Sequence, residues 1–345
     1  MGRALRMSGF VLAGLFVLVV VAVPLAVGVR PIVGPRVRAL TDHRFDATPA
    51  RLARGRYLVT AVNGCFSCHG ELEWQSPGFP VKPGTEGAGR RWDREGLPFA
   101  TAPNITPDPE TGAGLWTDDM FARAIREGIG HDGRTLFPLM PYEQYRFMSD
   151  EDLASIVVYL RALPAVKHAL PPTDVPFPVS RFIHALPQPV VAPVPEPDRK
   201  NPVAYGGYLT RMGACRDCHT PVDATNRPIT SLEFSGGFTL VGPYGQVASR
   251  NLTPDPSGIP YYDAGLFVDV MRTGMAKARK IHDAMPWKAF AGQSDDDLRA
   301  IFAYLQTVAP VRHRVDNALP PTRCPVCGGT HGGGESNVVA SRRAS

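Results

Sequence analysis

The sequence has no basic stripe with interleaved aromatic residues, although its formal net charge is +5. Nucleic-acid binding, which depends on such a patch, is therefore not indicated. The chain also lacks an alternating apolar and polar run that would predict strands as strongly as its other patterns predict helices. Cysteine is scarce, with 6 residues in 345, whereas 34 glycines and 35 prolines make up a fifth of the chain. Four of the six cysteines fall in two short motifs, which are the most informative feature of the sequence.

The two motifs are Cys65-Phe66-Ser67-Cys68-His69 and Cys215-Arg216-Asp217-Cys218-His219. C-x-x-C-H is the attachment pattern of c-type haem, in which two thiols reach the two vinyl groups of one porphyrin. The adjoining His69 and His219 are placed to ligate the iron. We therefore predict two covalently bound haem c groups, held by Cys65, Cys68, Cys215 and Cys218. Three disulfides are arithmetically possible, but they leave the histidine after each early pair unexplained.

Both motifs lie in copies of a longer internal repeat. Corresponding segments follow in the same order, and the offset between them falls only from 151 to 145 residues. The matching pairs are Gly55-Arg56-Tyr57-Leu58 with Gly206-Gly207-Tyr208-Leu209, Asn104-Ile105-Thr106-Pro107-Asp108-Pro109 with Asn251-Leu252-Thr253-Pro254-Asp255-Pro256, Met140-Pro141-Tyr142 with Met285-Pro286-Trp287, and Val166-Lys167-His168 with Val311-Arg312-His313. This agreement indicates a duplicated domain.

Each copy is predicted to contain three helical pieces. A first helix runs into the C-x-x-C-H motif, and a second begins at Thr117, whose hydroxyl can cap it, and ends near Gly128. The last begins at Ser149, with Asp152 three residues later as in a capping box, and its apolar side chains keep to one face. Residues 294–305 repeat this last pattern in the second copy.

An iron that only carries electrons needs a second axial ligand on the other face of the porphyrin. Met140 and Met285 lie 71 and 66 residues after the motif histidines, and each precedes a proline and an aromatic residue. No other methionine has a counterpart in the other copy, so we predict these two as axial ligands, although a lone methionine is ordinarily core filler. His282 and His131 are competing ligands. Both are nevertheless predicted to be solvated or hydrogen-bonded surface residues, as are His43, His168, His184 and His313.

Ligation by histidine and methionine raises the reduction potential of a haem. It also closes the iron to oxygen and peroxide. The pattern therefore predicts an electron-transfer protein with no catalytic residues, and not an enzyme.

The N-terminal segment contains an uncharged run from Ser8 to Val29, which as a helix would span roughly 33 Å, enough for the hydrocarbon core of a bilayer. A cleaved signal peptide is the competing interpretation, but its apolar region is usually only about 7–15 residues long. We predict an uncleaved single-pass anchor in the inner membrane. Covalent haem attachment takes place outside the bacterial cytoplasm, so the remainder of the chain is predicted to lie in the periplasm.

These features predict a mostly α fold, with an N-terminal transmembrane helix followed by two tandem cytochrome c domains. The predicted segments are an anchor (1–29), a linker (30–49), a first domain (50–168), a proline-rich linker (169–202), a second domain (203–313) and a glycine-rich tail (314–345). The tail carries Cys324, Cys327 and His331. A disulfide, half of a zinc site or a relic are the open interpretations of this group, and no third haem is predicted because no histidine follows Cys327.

The repeats resemble the cytochrome c domains in the membrane-bound cytochrome subunits of bacterial alcohol, aldehyde and gluconate dehydrogenases. The resemblance rests on the motif ending at His69, Asn104-Ile105-Thr106-Pro107-Asp108-Pro109, Leu115-Trp116-Thr117, Met140-Pro141-Tyr142 and Tyr159-Leu160. It covers about residues 50–165 and, less closely, 203–312. It implies that the chain accepts electrons from a periplasmic dehydrogenase and passes them to quinone or to a downstream carrier. The family usually has three haem motifs, whereas this chain has two.

Two other functions are compatible with two haems. One is a dihaem peroxidase or a thiosulfate-oxidising enzyme, which would need one haem with an accessible or unusual ligand. The other is a tethered electron donor within a terminal oxidase complex.

Overall fold

The computed structural model describes residues 22–338. Its α-helices are α1 (Arg30–Val33), α2 (Pro49–Tyr57), α3 (Cys65–Cys68), α4 (Asp118–Glu127), α5 (Tyr142–Tyr145), α6 (Asp150–Arg161), α7 (Val179–Phe182), α8 (Pro202–Met212), α9 (Cys215–His219), α10 (Ala264–Thr273), α11 (Trp287–Phe290) and α12 (Asp295–Leu305). A π-helical turn, Leu58–Val62, extends α2, and 3-10 turns cover Asp93–Glu95, Ile183–Ala185, Thr230–Leu232 and Gly334–Ser336.

The strands pair into four separate antiparallel ribbons. They are β1 (Arg90–Trp92) with β2 (Leu97–Ala102), β3 (Thr239–Gly242) with β4 (Gly245–Ala248), β5 (Met275–Ala276) with β6 (Arg279–Lys280), and β7 (Pro321–Arg323) with β8 (Thr330–Gly332). Only 35% of the structure is helical, so the prediction of a mostly α fold is wrong. Loops rich in glycine and proline separate short helices, because these residues favour turns over regular structure. The strands are not predicted by the sequence pattern, because each has only two to six residues.

The prediction of an N-terminal transmembrane helix is also wrong. Crossing a bilayer takes about 20 consecutive apolar residues in one helix. Among residues 22–338, no helix is both long enough and apolar enough to do so. The prediction of a single-pass anchor in the inner membrane depended on this helix and is wrong as well. Residues 1–21 of the predicted anchor lie outside the described part of the chain.

The helix ends follow the predicted capping. Thr117 and Ser149 accept hydrogen bonds from the third residue along and so begin α4 and α6, while Gly128, with φ 74°, ends α4. Ser294 caps α12 in the same way. A cap of this kind stabilises a helix by about 1 kcal/mol.

In both repeats the first and last long helices cross in close contact, α2 on α6 and α8 on α12. The crossing points are Gly55 and Gly206. A Cβ on Gly55 would lie 1.9 Å from Ser155 O, and one on Gly206 would lie 1.8 Å from Ala300 O. The glycines in the two matching Gly-x-Tyr-Leu segments are therefore required by helix packing.

The tyrosines of the same two segments join the repeats to each other. Tyr57 OH donates to Asp297 Oδ2 (2.5 Å) and accepts from Ser294 N (3.0 Å), so the first repeat binds the start of α12. Tyr208 OH donates to Asp152 Oδ2 (2.6 Å) and accepts from Ser149 N (3.3 Å), so the second repeat binds the start of α6. Each repeat thus gives the other an equivalent contact, as in a pseudo-twofold dimer.

Candidate haem-binding sites

Both C-x-x-C-H motifs form a short helical turn that follows a left-handed residue. Gly64 (φ 58°) precedes α3, and Ala214 (φ 51°) precedes α9. Residues three apart lie on the same side of such a turn, so the two thiols of each motif share one face. The four cysteines are unpaired and partly buried. This arrangement fits attachment of one porphyrin to each turn through two thioether bonds.

The motif histidines are buried and held in the tautomer that a metal ligand needs. His69 Nδ1 lies 2.8 Å from Pro103 O, and His219 Nδ1 lies 2.7 Å from Arg250 O. A carbonyl only accepts, so Nδ1 carries the hydrogen in both rings and Nε2 presents a lone pair. Burial lowers the pKa of both imidazoles below the ordinary value, which favours this neutral state. Both rings are therefore suited to bind iron through Nε2.

The Asn-x-Thr segments hold the loops that supply these carbonyl groups. Asn104 Nδ2 donates to Val166 O (2.7 Å), Asn104 Oδ1 accepts from Thr106 Oγ1 (2.7 Å), and Val166 N donates to Thr106 Oγ1 (3.1 Å). In the second repeat, Asn251 and Thr253 make the same three bonds with Val311. The sequence identifies these residues only as part of the internal repeat. Their recurrence in both copies is the signal in the sequence that they have a structural role.

The predicted axial methionines lie in two loops that are built alike. Met140 and Met285 are partly buried and pack against the same core as Cys65 and Cys215. The aromatic residue two positions later is buried in each case, with Tyr142 at 0% and Trp287 at 4% exposure. Each aromatic ring lies under a left-handed glycine: a Cβ on Gly128 or Gly274 would approach it to 2.6 Å. Axial ligation by these methionines stays a prediction.

The competing histidines are less suited to ligation. His131 is exposed and stacks on Trp116, with 4.6 Å between ring centres. His282 Nδ1 accepts a hydrogen bond from Ala284 N (3.1 Å), so in the neutral ring Nε2 carries the hydrogen. Neither ring nitrogen then has a free lone pair for iron. The prediction that His313 lies at the surface is wrong, since its exposure is 0%.

Buried donors beside the first motif fit the propionate carboxylates of a haem. Within residues 22–338, Arg90 Nε and Trp92 Nε1 are buried without a hydrogen-bond partner. The Arg90 guanidinium lies 4.1 Å from the centre of the Trp92 ring and donates to Ser67 O (3.4 Å), inside the motif. Buried donors are rarely left unsatisfied in folded proteins. Arg90 already forms an ion pair with Glu95, so the donors left over for a haem propionate are Arg90 Nε and Trp92 Nε1; a bound haem would also supply the redox-active iron.

Comparison with curated proteins finds relatives that are named as cytochromes. The chain is 32% identical over 300 residues to the gluconate 2-dehydrogenase cytochrome c subunit of Pantoea cypripedii, covering 78% of this chain and 62% of the relative. It is 29% identical over 292 residues to the cytochrome c subunit of the quinone alcohol dehydrogenase of Gluconobacter oxydans, covering 78% and 57%. A dihaem c-type cytochrome of Cereibacter sphaeroides is 29% identical over 282 residues, covering 77% and 89%.

The chain thus spans about 60% of the length of these two dehydrogenase subunits. No protein-family model matches it. These two relatives are named as cytochrome c subunits, which agrees with the prediction of an electron-transfer protein. The predicted haem c cofactor is confirmed on the same ground. The chain is thus similar to a dihaem c-type cytochrome and to the cytochrome c subunits of bacterial gluconate, alcohol and fructose dehydrogenases.

Proposed function

We propose that the protein is a two-haem electron relay, which takes electrons from a partner dehydrogenase and passes them to quinone or to a downstream carrier. The names of the relatives support a dehydrogenase as the donor. In this proposal Cys65 and Cys68 hold the first haem and Cys215 and Cys218 hold the second. The axial pairs are His69 with Met140 and His219 with Met285.

The observation that carries the proposal is a contact between the haem-binding regions of the two repeats. Gln144, four residues after Met140, donates from Nε2 to Asp217 Oδ1 (2.7 Å), inside the second motif. On the other side, Gly64 precedes the first motif and faces Ala289, four residues after Met285; a Cβ on Gly64 would lie 3.4 Å from Ala289 Cβ. Each methionine loop therefore touches the other repeat's attachment turn, which supports electron transfer between two neighbouring haems.

Tyr145 lies between the same two turns. It is 5% exposed. Burial raises its pKa well above the ordinary value, and the nearby Cys65 and, less strongly, Asp217 raise it further. Tyr145 therefore lies near residues of both motifs.

Transfer between the haems can be measured in the purified two-haem protein. A photoactivated ruthenium complex in solution injects one electron, and the absorbance of each haem is followed afterwards. We expect a second phase in which the electron redistributes at a rate independent of protein concentration. A rate proportional to concentration would mean that electrons pass only between molecules and would contradict an internal relay.

Closed coordination is tested with carbon monoxide added to the fully reduced protein. Two iron atoms that each hold histidine and methionine should bind it slowly, because the thioether must leave first. Fast binding at one haem would instead favour the peroxidase or thiosulfate-oxidising alternative.

The donor is identified from the complex that an affinity-tagged full-length chain co-purifies with. We expect a large subunit with a flavin or quinone cofactor whose own substrate reduces both haems in the isolated complex. Recovery of copper–haem oxidase subunits instead would contradict a dehydrogenase donor.

A further inference from the structure

Four buried side chains converge where the tail meets the second repeat. They are His313, Cys324, Cys327 and His331, and one ligand atom from each lies within 4.8 Å of all the others. His313 Nε2 is 3.0 Å from His331 Nε2 and 3.4 Å from Cys324 Sγ. The four residues are 0%, 0%, 6% and 2% exposed. Within residues 22–338 no second group of this kind is found.

The tail is folded to present the two sulfur atoms together. Cys324 follows β7, and the turn Cys324-Pro325-Val326-Cys327-Gly328-Gly329 leads back to β8, which carries His331. Cys324 N donates to Gly329 O (2.8 Å), and Gly328 N donates to Cys324 O (2.9 Å). Gly328 is left-handed, with φ 73°. A C-x-x-C turn of this type places both thiolates on one side, as in structural zinc sites.

The hydrogen bonds of the two imidazoles leave their Nε2 atoms facing each other with no hydrogen between them. His313 Nδ1 lies 3.0 Å from Ser235 O, and His331 Nδ1 lies 3.2 Å from Gly332 O. Carbonyl groups accept, so both Nδ1 atoms carry hydrogen and both Nε2 atoms present lone pairs to each other. Two lone pairs facing at 3.0 Å in a buried site repel unless a positive centre lies near both of them.

We propose that His313, Cys324, Cys327 and His331 bind one structural zinc ion. A set of two thiolates and two imidazoles without a carboxylate is typical of tetrahedral zinc, and calcium and magnesium prefer oxygen ligands. With zinc bonds of about 2.0–2.3 Å, tetrahedral ligand atoms lie roughly 3.3–3.8 Å apart, close to the separations observed here. All four positions are supplied by the protein, so the site has no open position for a substrate and its role is structural.

The first repeat supplies a matched reference for this site. His168 occupies the position of His313, and its Nδ1 lies 3.0 Å from Ala88 O as that of His313 does from Ser235 O. His168 is only partly buried, and no cysteine lies among its hydrogen-bond partners within residues 22–338. A substitution of His168 therefore removes the same backbone contact without touching a metal ligand.

The experiment measures metals in the purified holoprotein and in the variants His313→Gln, Cys324→Ser/Cys327→Ser and His168→Gln. Elemental analysis of wild type should give about one zinc for every two haem irons, and X-ray absorption at the zinc edge should show two sulfur neighbours at about 2.3 Å and two nitrogen neighbours at about 2.0–2.1 Å. His313→Gln and the double cysteine variant should lose the zinc and keep both irons. His168→Gln should keep all three metals.

A measurement on wild type guards against variants that fail to fold. Treatment with a strong chelator under mild denaturant should release zinc and make Cys324 and Cys327 reactive to a thiol reagent, with the visible spectra of both haems unchanged. A Cys324–Cys327 disulfide in protein purified with zinc present, seen by mass spectrometry, would overturn the proposal. A different metal in stoichiometric amount at these four ligands would overturn the identity of the ion.

Discussion

The two repeats share one frame but differ at a position that lies beside the haem-binding turn. Gly89 N donates to His69 O and Gly236 N donates to His219 O, so the following residues, Arg90 and Gly237, correspond. Arg90 is 4% exposed and forms an ion pair with Glu95 (2.5 Å). At Gly237 (φ 88°), a Cβ would lie 2.6 Å from the His313 ring. The first repeat thus has a buried charged side chain, Arg90, at this position. In the second repeat the missing side chain of Gly237 leaves room for the buried ring of His313.

The histidine position that the two repeats share therefore has different surroundings in each of them. The histidine bound to a backbone carbonyl exists in both copies. Among residues 22–338, two thiols and another imidazole converge on this histidine in the second copy and not in the first. None of the four clustered residues belongs to the attachment turn Cys215–His219.

The largest expected effect is loss of one haem. Replacing Cys65 and Cys68 by alanine should leave a protein with half the haem iron, and replacing Cys215 and Cys218 should do the same. Each repeat has its own attachment turn and its own carbonyl partner for histidine, so neither haem depends covalently on the other. Iron content and the pyridine haemochrome spectrum measure this. Loss of both haems from either variant would mean that the repeats fold only together.

Exchange of the axial methionines tests the equivalence of the two loops. Met140→His and Met285→His should each lower the potential of one haem by on the order of 100 mV, since axial ligands tune haem potentials over roughly 0.8 V. Redox titration followed by visible absorbance separates the two transitions. Met148→Leu, at a buried methionine outside the proposed ligand set, is the control and should leave both potentials in place. An unchanged potential in Met285→His would remove that residue from the ligand set.

The cross-repeat tyrosines should differ in their contribution to stability. Asp152 also forms an ion pair with Arg54 (2.7 Å), whereas within residues 22–338 Tyr57 is the only side chain that hydrogen-bonds the Asp297 carboxylate. Tyr57→Phe should therefore cost about 1.5–3 kcal/mol, because it leaves that carboxylate unpaired. Tyr208→Phe should cost only about 1 kcal/mol. Denaturant unfolding of the holoprotein measures both, and equal costs would show that Arg54 does not compensate.

Much of the repeat could be predicted because its signals are local. The caps at Thr117, Ser149 and Ser294 depend on a hydroxyl and the next three residues, and the structure places them as predicted. The ribbons could not be predicted in this way. β5 and β6 have two residues each, so their pairing is decided by the turn between them and by the surrounding loop and not by a pattern along the strand.

In the candidate sites, too, residues close in sequence can be predicted and residues brought together by folding cannot. The attachment cysteines are adjacent in sequence, so the motif alone predicts them. In the tail cluster the sequence points to Cys324, Cys327 and His331 but not to the fourth ligand, His313, which lies 11 residues before Cys324 and has a counterpart, His168, in the first repeat. Nothing local distinguishes these two histidines. Only the folding of the β7–β8 ribbon onto the second repeat makes one of them a buried ligand.

The smallest expected effect concerns Arg90. Ferric haem carries one positive charge more than ferrous haem, so a buried cation beside the first motif favours the ferrous state. Arg90 donates to Ser67 O (3.4 Å), so the cation lies against the attachment turn of this motif. Arg90→Gln should lower the potential of the first haem by tens of millivolts, the order expected for the loss of one nearby unit charge at an effective dielectric constant of about 20. Glu95→Gln should shift it the other way, since it removes the opposing charge. The second haem, with glycine at this position, should not respond to either change, and a shift at both haems would mean that Arg90 acts on the whole relay.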